Sequence, residues 1–243
     1  MKRPAAAKLF LGLSMPVLLC LSLAPPASSA VPVQVRAVTW QGKILLDRTV
    51  RTGTTTVPTS ARADCFGGSP SNGSVRIPGA TALGALHDAQ AKRKPRRPLL
   101  LTNAFDFGLG VCGVGGAVAE GEEWWELSHN HGPSSLGGEG TKLRKADTVL
   151  WYLAESFNEA SPDELYLDAP RSVRRNRSFR VRVTAFNDKG RARPVKGARL
   201  SRPGSPKTNA RGYARIRIGA RTRLVARARG LIVSNREVVR VRR

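Results

Sequence analysis

Thiols, imidazoles and aromatic rings are scarce in this 243-residue sequence, which has three cysteines, three histidines and 6% aromatic residues. So few leave little from which to build a metal centre or a Cys–His nucleophile. Acidic residues are also few, 17 Asp and Glu against 41 Lys and Arg, for a formal charge of +24. Neither G-x-S-x-G nor Ser-x-x-Lys occurs, which removes the common frames for a serine nucleophile. Past residue 30 no apolar run approaches the ~20 residues that a membrane-spanning helix requires. That part of the chain reads as soluble or peripherally attached.

The first thirty residues are a different kind of segment. Met1-Lys2-Arg3, an apolar run from Leu9 to Leu23, the Pro25-Pro26 break and the small residues Ser28 and Ala30 make a secretory signal peptide over residues 1–30. Leu19 precedes Cys20 where a lipoprotein signal carries glycine or alanine, so lipidation is not expected. The mature chain is then a secreted, extracellular protein starting at Val31. It keeps only Cys65 and Cys112, and an exported chain with two cysteines is expected to join them in a disulfide.

Charge divides what remains. Residues 31–170 hold 14 basic and 15 acidic side chains, whereas residues 171–243 hold 24 basic, 21 of them arginine, and 2 acidic. This argues for two domains, 31–170 and 171–243, with different tasks. In the first, Val31, Val33, Val35 and Ala37 alternate with polar residues and a Gln41-Gly42 turn leads to Ile44-Leu45-Leu46, which predicts a β-hairpin. Thr81 can cap a helix through about Lys94, with Leu83, Leu86 and Ala89 or Gln90 on one stripe and Pro95 and Pro98 closing it. Leu99–Leu101, Trp124–Leu127, Val149–Leu153 and Glu164–Leu167 read as strands. The expected fold class is mainly β, with an α+β first domain of one helix on a sheet and an all-β sandwich second.

Cys65-Phe66-Gly67-Gly68, Thr81-Ala82-Leu83-Gly84-Ala85-Leu86, Phe107-Gly108-Leu109-Gly110-Val111-Cys112, Trp124-Trp125 and Asp147-Thr148-Val149-Leu150-Trp151-Tyr152 form an ordered series. The series resembles a bacterial domain family of unassigned function, related to the C-terminal β-domain of transcobalamin and intrinsic factor. There a T-x-L-x-A-L helix, a tryptophan strand and a GD-x-V-x-W-x-Y strand recur. Ala146 stands where that pattern carries glycine. The resemblance implies a binding module, and cobalamin only weakly, because binding in that family uses a second domain with no counterpart in this sequence.

The stretch EEWWELSHNHG, residues 122–132, concentrates the candidate chemistry. Adjacent tryptophans on a strand point to opposite faces, so one of Trp124 and Trp125 belongs to the core and the other is either a second packing residue or open to a ligand. With Asn130 and His131 they form the candidate ligand-binding set. His129 and His131 lack a third ligand at a diagnostic spacing, so no metal and no cofactor is expected. The glycines from Gly108 to Gly116 carry no Lys-Ser/Thr and suit tight turns better than a phosphate cradle. A cysteine held in a disulfide cannot serve as a thiolate, and the carboxylate pairs Glu122-Glu123 and Asp163-Glu164 diverge as sequence neighbours on a strand. The reading is therefore not an enzyme.

The second domain alternates apolar with basic residues in Phe179–Thr184, Ala214–Ile218, Arg223–Ala228 and Val238–Arg242, strands with one apolar face and one arginine face. Pro194-Val-Lys-Gly197-Ala198 followed by Thr208-Asn-Ala-Arg-Gly212-Tyr is similar to the transthyretin-like, collagen-adhesin B-type Ig-like modules of bacterial surface proteins. Arg180, Arg182, Arg215, Arg217, Arg240 and Arg242 are its candidate polyanion contacts, and an anionic cell-envelope polymer is the expected partner. Few stacking aromatics argue against specific nucleic-acid recognition. Together these features describe a non-catalytic binding protein held near the cell envelope. The alternatives are a purely structural cell-surface protein with no small ligand, and an exported enzyme whose site carries no familiar motif.

Overall fold

The computed structural model describes residues 30–91, 99–106, 108–202, 204 and 206–243. The signal-peptide reading, residues 92–98 beyond the helix and Phe107 therefore lie outside the described residues. The fold is mainly β. In chain order the first part contains β1 (Val31–Thr39), β2 (Ile44–Thr52), β3 (Thr55–Thr59), β4 (Gly73–Ile77), α1 (Ala82–Ala91), β5 (Leu100–Thr102), β6 (Gly110–Val114), β7 (Ala117–Val118), β8 (Trp124–His129), β9 (Gly132–Pro133), α2 (Gly137–Gly140) and β10 (Thr148–Ala154). The second contains β11 (Glu164–Asp168), β12 (Ser172–Arg174), β13 (Ser178–Phe186), β14 (Ala192–Pro194), β15 (Arg199–Leu200), β16 (Tyr213–Arg217), β17 (Thr222–Leu224), β18 (Ala226–Arg227) and β19 (Glu237–Arg242).

The main sheet has the order β2-β1-β10-β8-β9, with β1 and β10 parallel and the other pairs antiparallel. The expected β1–β2 hairpin is present. α1 begins where Thr81 Oγ1 accepts the Gly84 N–H at 3.1 Å, an N-cap bond, and it buries Leu83, Leu86 and Ala89 against one face of the sheet. The Cys65–Cys112 disulfide, with Cα atoms 5.5 Å apart, ties the segment after β3 to β6. Closing a loop of that length stabilises by roughly 4 kcal/mol on chain-entropy grounds. Gly115 and Gly116, both at positive φ, form the two-residue turn between β6 and β7, so the glycine-rich stretch is a hairpin corner.

Alternation in β1 suggests one buried and one wet face, yet from Val35 to Thr39 every residue is buried. The second face is covered too. Val38, Leu150, Tyr152 and Ala154 pack against Val225, Ile232 and Val233 of the C-terminal part. Strands covered on both sides lose their polar alternation. β11 is not a further strand of the first sheet, since it pairs with β13 in the sheet β11-β13-β14, to which β16 adds. A second layer, β12-β19-β17 with the β15–β18 pair, closes over a core that includes Leu165, Val183, Ile216, Leu224 and Val239.

Candidate functional site

The pleat of β8 sends its tryptophans to opposite faces. Trp125 is buried with Leu127, Trp151 and Leu153 on the helix side, whereas Trp124 is half-buried against the C-terminal part. β8 then turns into β9 through Asn130 and His131 at φ +49° and +69°. Two left-handed central residues make the type I′ turn that matches strand twist, at a cost of about 1–2 kcal/mol for each residue with a Cβ. Side-chain contacts hold them there. Asn130 Nδ2 donates to Asp147 Oδ1 at 2.9 Å and its Oδ1 accepts the Thr148 N–H at 2.9 Å. His129 Nε2 lies 2.9 Å from Asp147 Oδ2. Burial pushes the Asp147 carboxyl up, but the Arg144 N–H, Asn130 and His129 outweigh it and hold the group below the usual aspartate range.

His131 turns the other way, into the junction between the two parts. Its ring stacks on Phe186 with centroids 3.9 Å apart, and its Nδ1 is 3.0 Å from Glu164 Oε2. The other Glu164 oxygen accepts from Arg36 Nη2, and Arg36 Nη1 donates to the Leu165 and Val233 carbonyls at 3.1 and 3.0 Å. Burial raises the Glu164 carboxyl, but Arg36 and His131 together bring it below the ordinary glutamate value. Asn130 braces a turn and His131 a junction, where His131 also lines, with Trp124, a cleft of about 230 Å³ that reaches Glu164 and Phe186, while Trp124 and Trp125 border a second cleft.

That second cleft, about 510 Å³, lies beside Trp125 and Trp151 and is walled by Phe66, Phe105, Leu109 and Pro133. α2 forms one side. A Cβ on Gly138 would come within 2.9 Å of both Trp151 Cη2 and Leu83 Cβ, so glycine is what lets α2 close over the indole. At the mouth Phe66 is 49% exposed and sits at φ +65°, next to the disulfide, with Phe105 6.4 Å away. A bulky residue in the left-handed region and open to water is uncommon, and such strain collects at functional sites. The indole N–H groups of Trp124, Trp125 and Trp151 are all buried with no hydrogen-bond partner among the described residues. Donors left this way cost about 1–3 kcal/mol each and are rare in folded proteins. The mostly aromatic and aliphatic lining of the cleft suits an apolar or amphipathic guest. Of these residues, Trp124 and Trp125 stand out in the sequence as ligand candidates, whereas Phe66, Phe105 and Trp151 do not.

The paired carboxylates serve four separate contacts: Glu122 with Ser156 Oγ, Glu123 with Trp40 Nε1, Asp163 with Arg193, and Glu164 with Arg36. Of the six polyanion candidates, Arg180, Arg182, Arg215 and Arg217 share the outer face of β13 and β16, with Arg180 opposite Arg215 and the Tyr213 ring beneath Arg180 at 4.4 Å. Arg240 and Arg242 stand on β19, in the other layer. No protein-family model matches the chain, and no curated protein matches it either.

Proposed function

We propose that this is a secreted, non-catalytic binding protein whose N-terminal part takes a small apolar or amphipathic molecule beside Trp125 and Trp151 while its arginine-rich part holds it against an anionic cell envelope. The observation that carries the reading is the cleft itself, walled by tryptophan and phenylalanine, with a strained aromatic at its mouth. Pockets of this size and apolar lining are where small molecules bind. On this reading the first part is a transcobalamin-like binding module and the second an Ig-like spacer whose outer arginines supply attraction rather than chemistry.

The probe should be neutral, because a protein of charge +24 attracts any anionic dye. N-phenyl-1-naphthylamine is expected to bind the folded protein saturably, with energy transfer from tryptophan. Phe66→Ala with Phe105→Ala should weaken binding by roughly tenfold or more, the scale of aromatic area withdrawn from a pocket. Native mass spectrometry of protein secreted by its own host would report any copurified molecule by mass. Absence of dye binding together with a bare chain would favour the purely structural reading.

A further inference from the structure

We infer a second binding site, for an acidic sugar residue, in the cleft between the β1–β2 turn and the β15–β18 pair. This cleft, about 520 Å³, is bordered by Trp40, Gln41, Arg199, Arg227, Arg229 and Leu231. Arg199 and Arg227 are directly opposite each other across β15 and β18. Like charges so placed repel. Among the described residues neither they nor Arg229 lies within salt-bridge distance of a carboxylate. All three are exposed, so the cleft offers three guanidinium groups with no ion-pair partner among the described residues. Guanidinium groups form charge-assisted, often bidentate bonds to carboxylate, sulfate or phosphate oxygens.

Trp40 supplies the other half of the recognition. It is 40% exposed at the tip of the hairpin, and its Nε1 donates to Glu123 Oε1 at 2.7 Å, which fixes the indole plane. Arg227 Nη1 donates to the Gly42 carbonyl at 3.0 Å and so braces the same turn against β18. Gly197 and Gly230, both at positive φ with open space where a Cβ would sit, keep the opposite wall low. A fixed aromatic face beside cationic forks suits a flat ring bearing an acid. A single aromatic platform suits one pyranose, whereas a nucleic-acid strand is gripped by a succession of stacked bases. The site is separate from both the tryptophan cleft and the Arg180–Arg217 stripe, and stands or falls without them.

The test is calorimetric titration of the full mature chain with a hyaluronan hexasaccharide, which carries uronate carboxylates, against the neutral chitohexaose and an oligothymidylate of equal charge. Saturable hyaluronan binding is expected. It should weaken by about tenfold for Arg199→Gln, and again for Trp40→Ala, as removal of a charge-assisted bond or a packing face implies. Arg62→Gln with Arg76→Gln, both exposed in the first part and neither lining this cleft, should leave it within twofold. Arg199 is exposed, so its variant keeps the fold and the test survives a misfolded Trp40 variant. No saturable binding, unchanged affinity in Arg199→Gln, or equal affinity for oligothymidylate would each overturn the assignment.

Discussion

Replacing Glu164 with glutamine removes one charge from the junction while keeping its shape. Arg36 and Glu164 have side-chain exposures of only 4% and 9%, so water screens their pairing little. In the variant Arg36 keeps its bonds to the Leu165 and Val233 carbonyls but loses its counter-charge, and an uncompensated buried guanidinium costs about 3–5 kcal/mol. That is a large fraction of a typical stability of roughly 5–15 kcal/mol. Urea denaturation followed by circular dichroism at pH 7 should show a lower midpoint with an unchanged slope. The pH dependence gives an independent check. Glu164 titrates below its ordinary value of 4.5 in the folded chain, so its contribution is complete above that pH and is lost as pH falls through the folded value. The gap between wild type and Glu164→Gln should therefore shrink on acidification below about 4.5. Asp47 and Glu237 are raised by burial and titrate with the opposite sign, which is why the difference between the two proteins, not either curve, is the quantity to follow. A loss under about 1 kcal/mol at pH 7, or a gap that does not close in acid, would refute a stabilising role for the pair.

Three further outcomes follow from single features. Ala146 occupies the left-handed region at φ +71° in the turn where Arg144 accepts the Asp147 N–H, so Ala146→Gly should raise stability by about 0.5–1 kcal/mol, the strain relieved less the entropy glycine adds to the unfolded chain, measured by thermal unfolding. Serine at both Cys65 and Cys112 should cost roughly 4 kcal/mol in the same assay, and a loss below about 1 would argue that the loop is already confined when unfolded. Arg180→Gln with Arg215→Gln should release the protein from phosphatidylglycerol vesicles at lower salt than wild type, because the attraction is Coulombic and screened. Equal salt dependence would move the contact to another face.

Much of the fold is written in local pattern. The Thr81 cap, the Leu83–Leu86 stripe, the alternating strands and the pair of cysteines left after residue 30 each express a short-range rule, and each appears in the structure. What periodicity leaves open is what lies across a face. Arg36 sits on the polar side of an alternating strand and should be wet, yet the C-terminal part buries it beside Glu164, a residue 128 positions away. The same gap misassigned β11, whose apolar spacing suits either sheet and whose partner is decided by pairing with β13. His131 and Asn130 stand out in sequence because polar side chains are concentrated in a short stretch; in the fold Asn130 also braces its left-handed turn and His131 reaches Glu164 across the junction. The cleft is the converse case. Phe66, Phe105, Trp125 and Trp151 share no spacing rule and meet only because the disulfide anchors one wall, α2 another and the β8–β10 pairing the floor. Long-range closure thus explains both the burial of Arg36 and the hidden cleft: a concave surface is assembled from chain segments whose mutual distance no local rule contains.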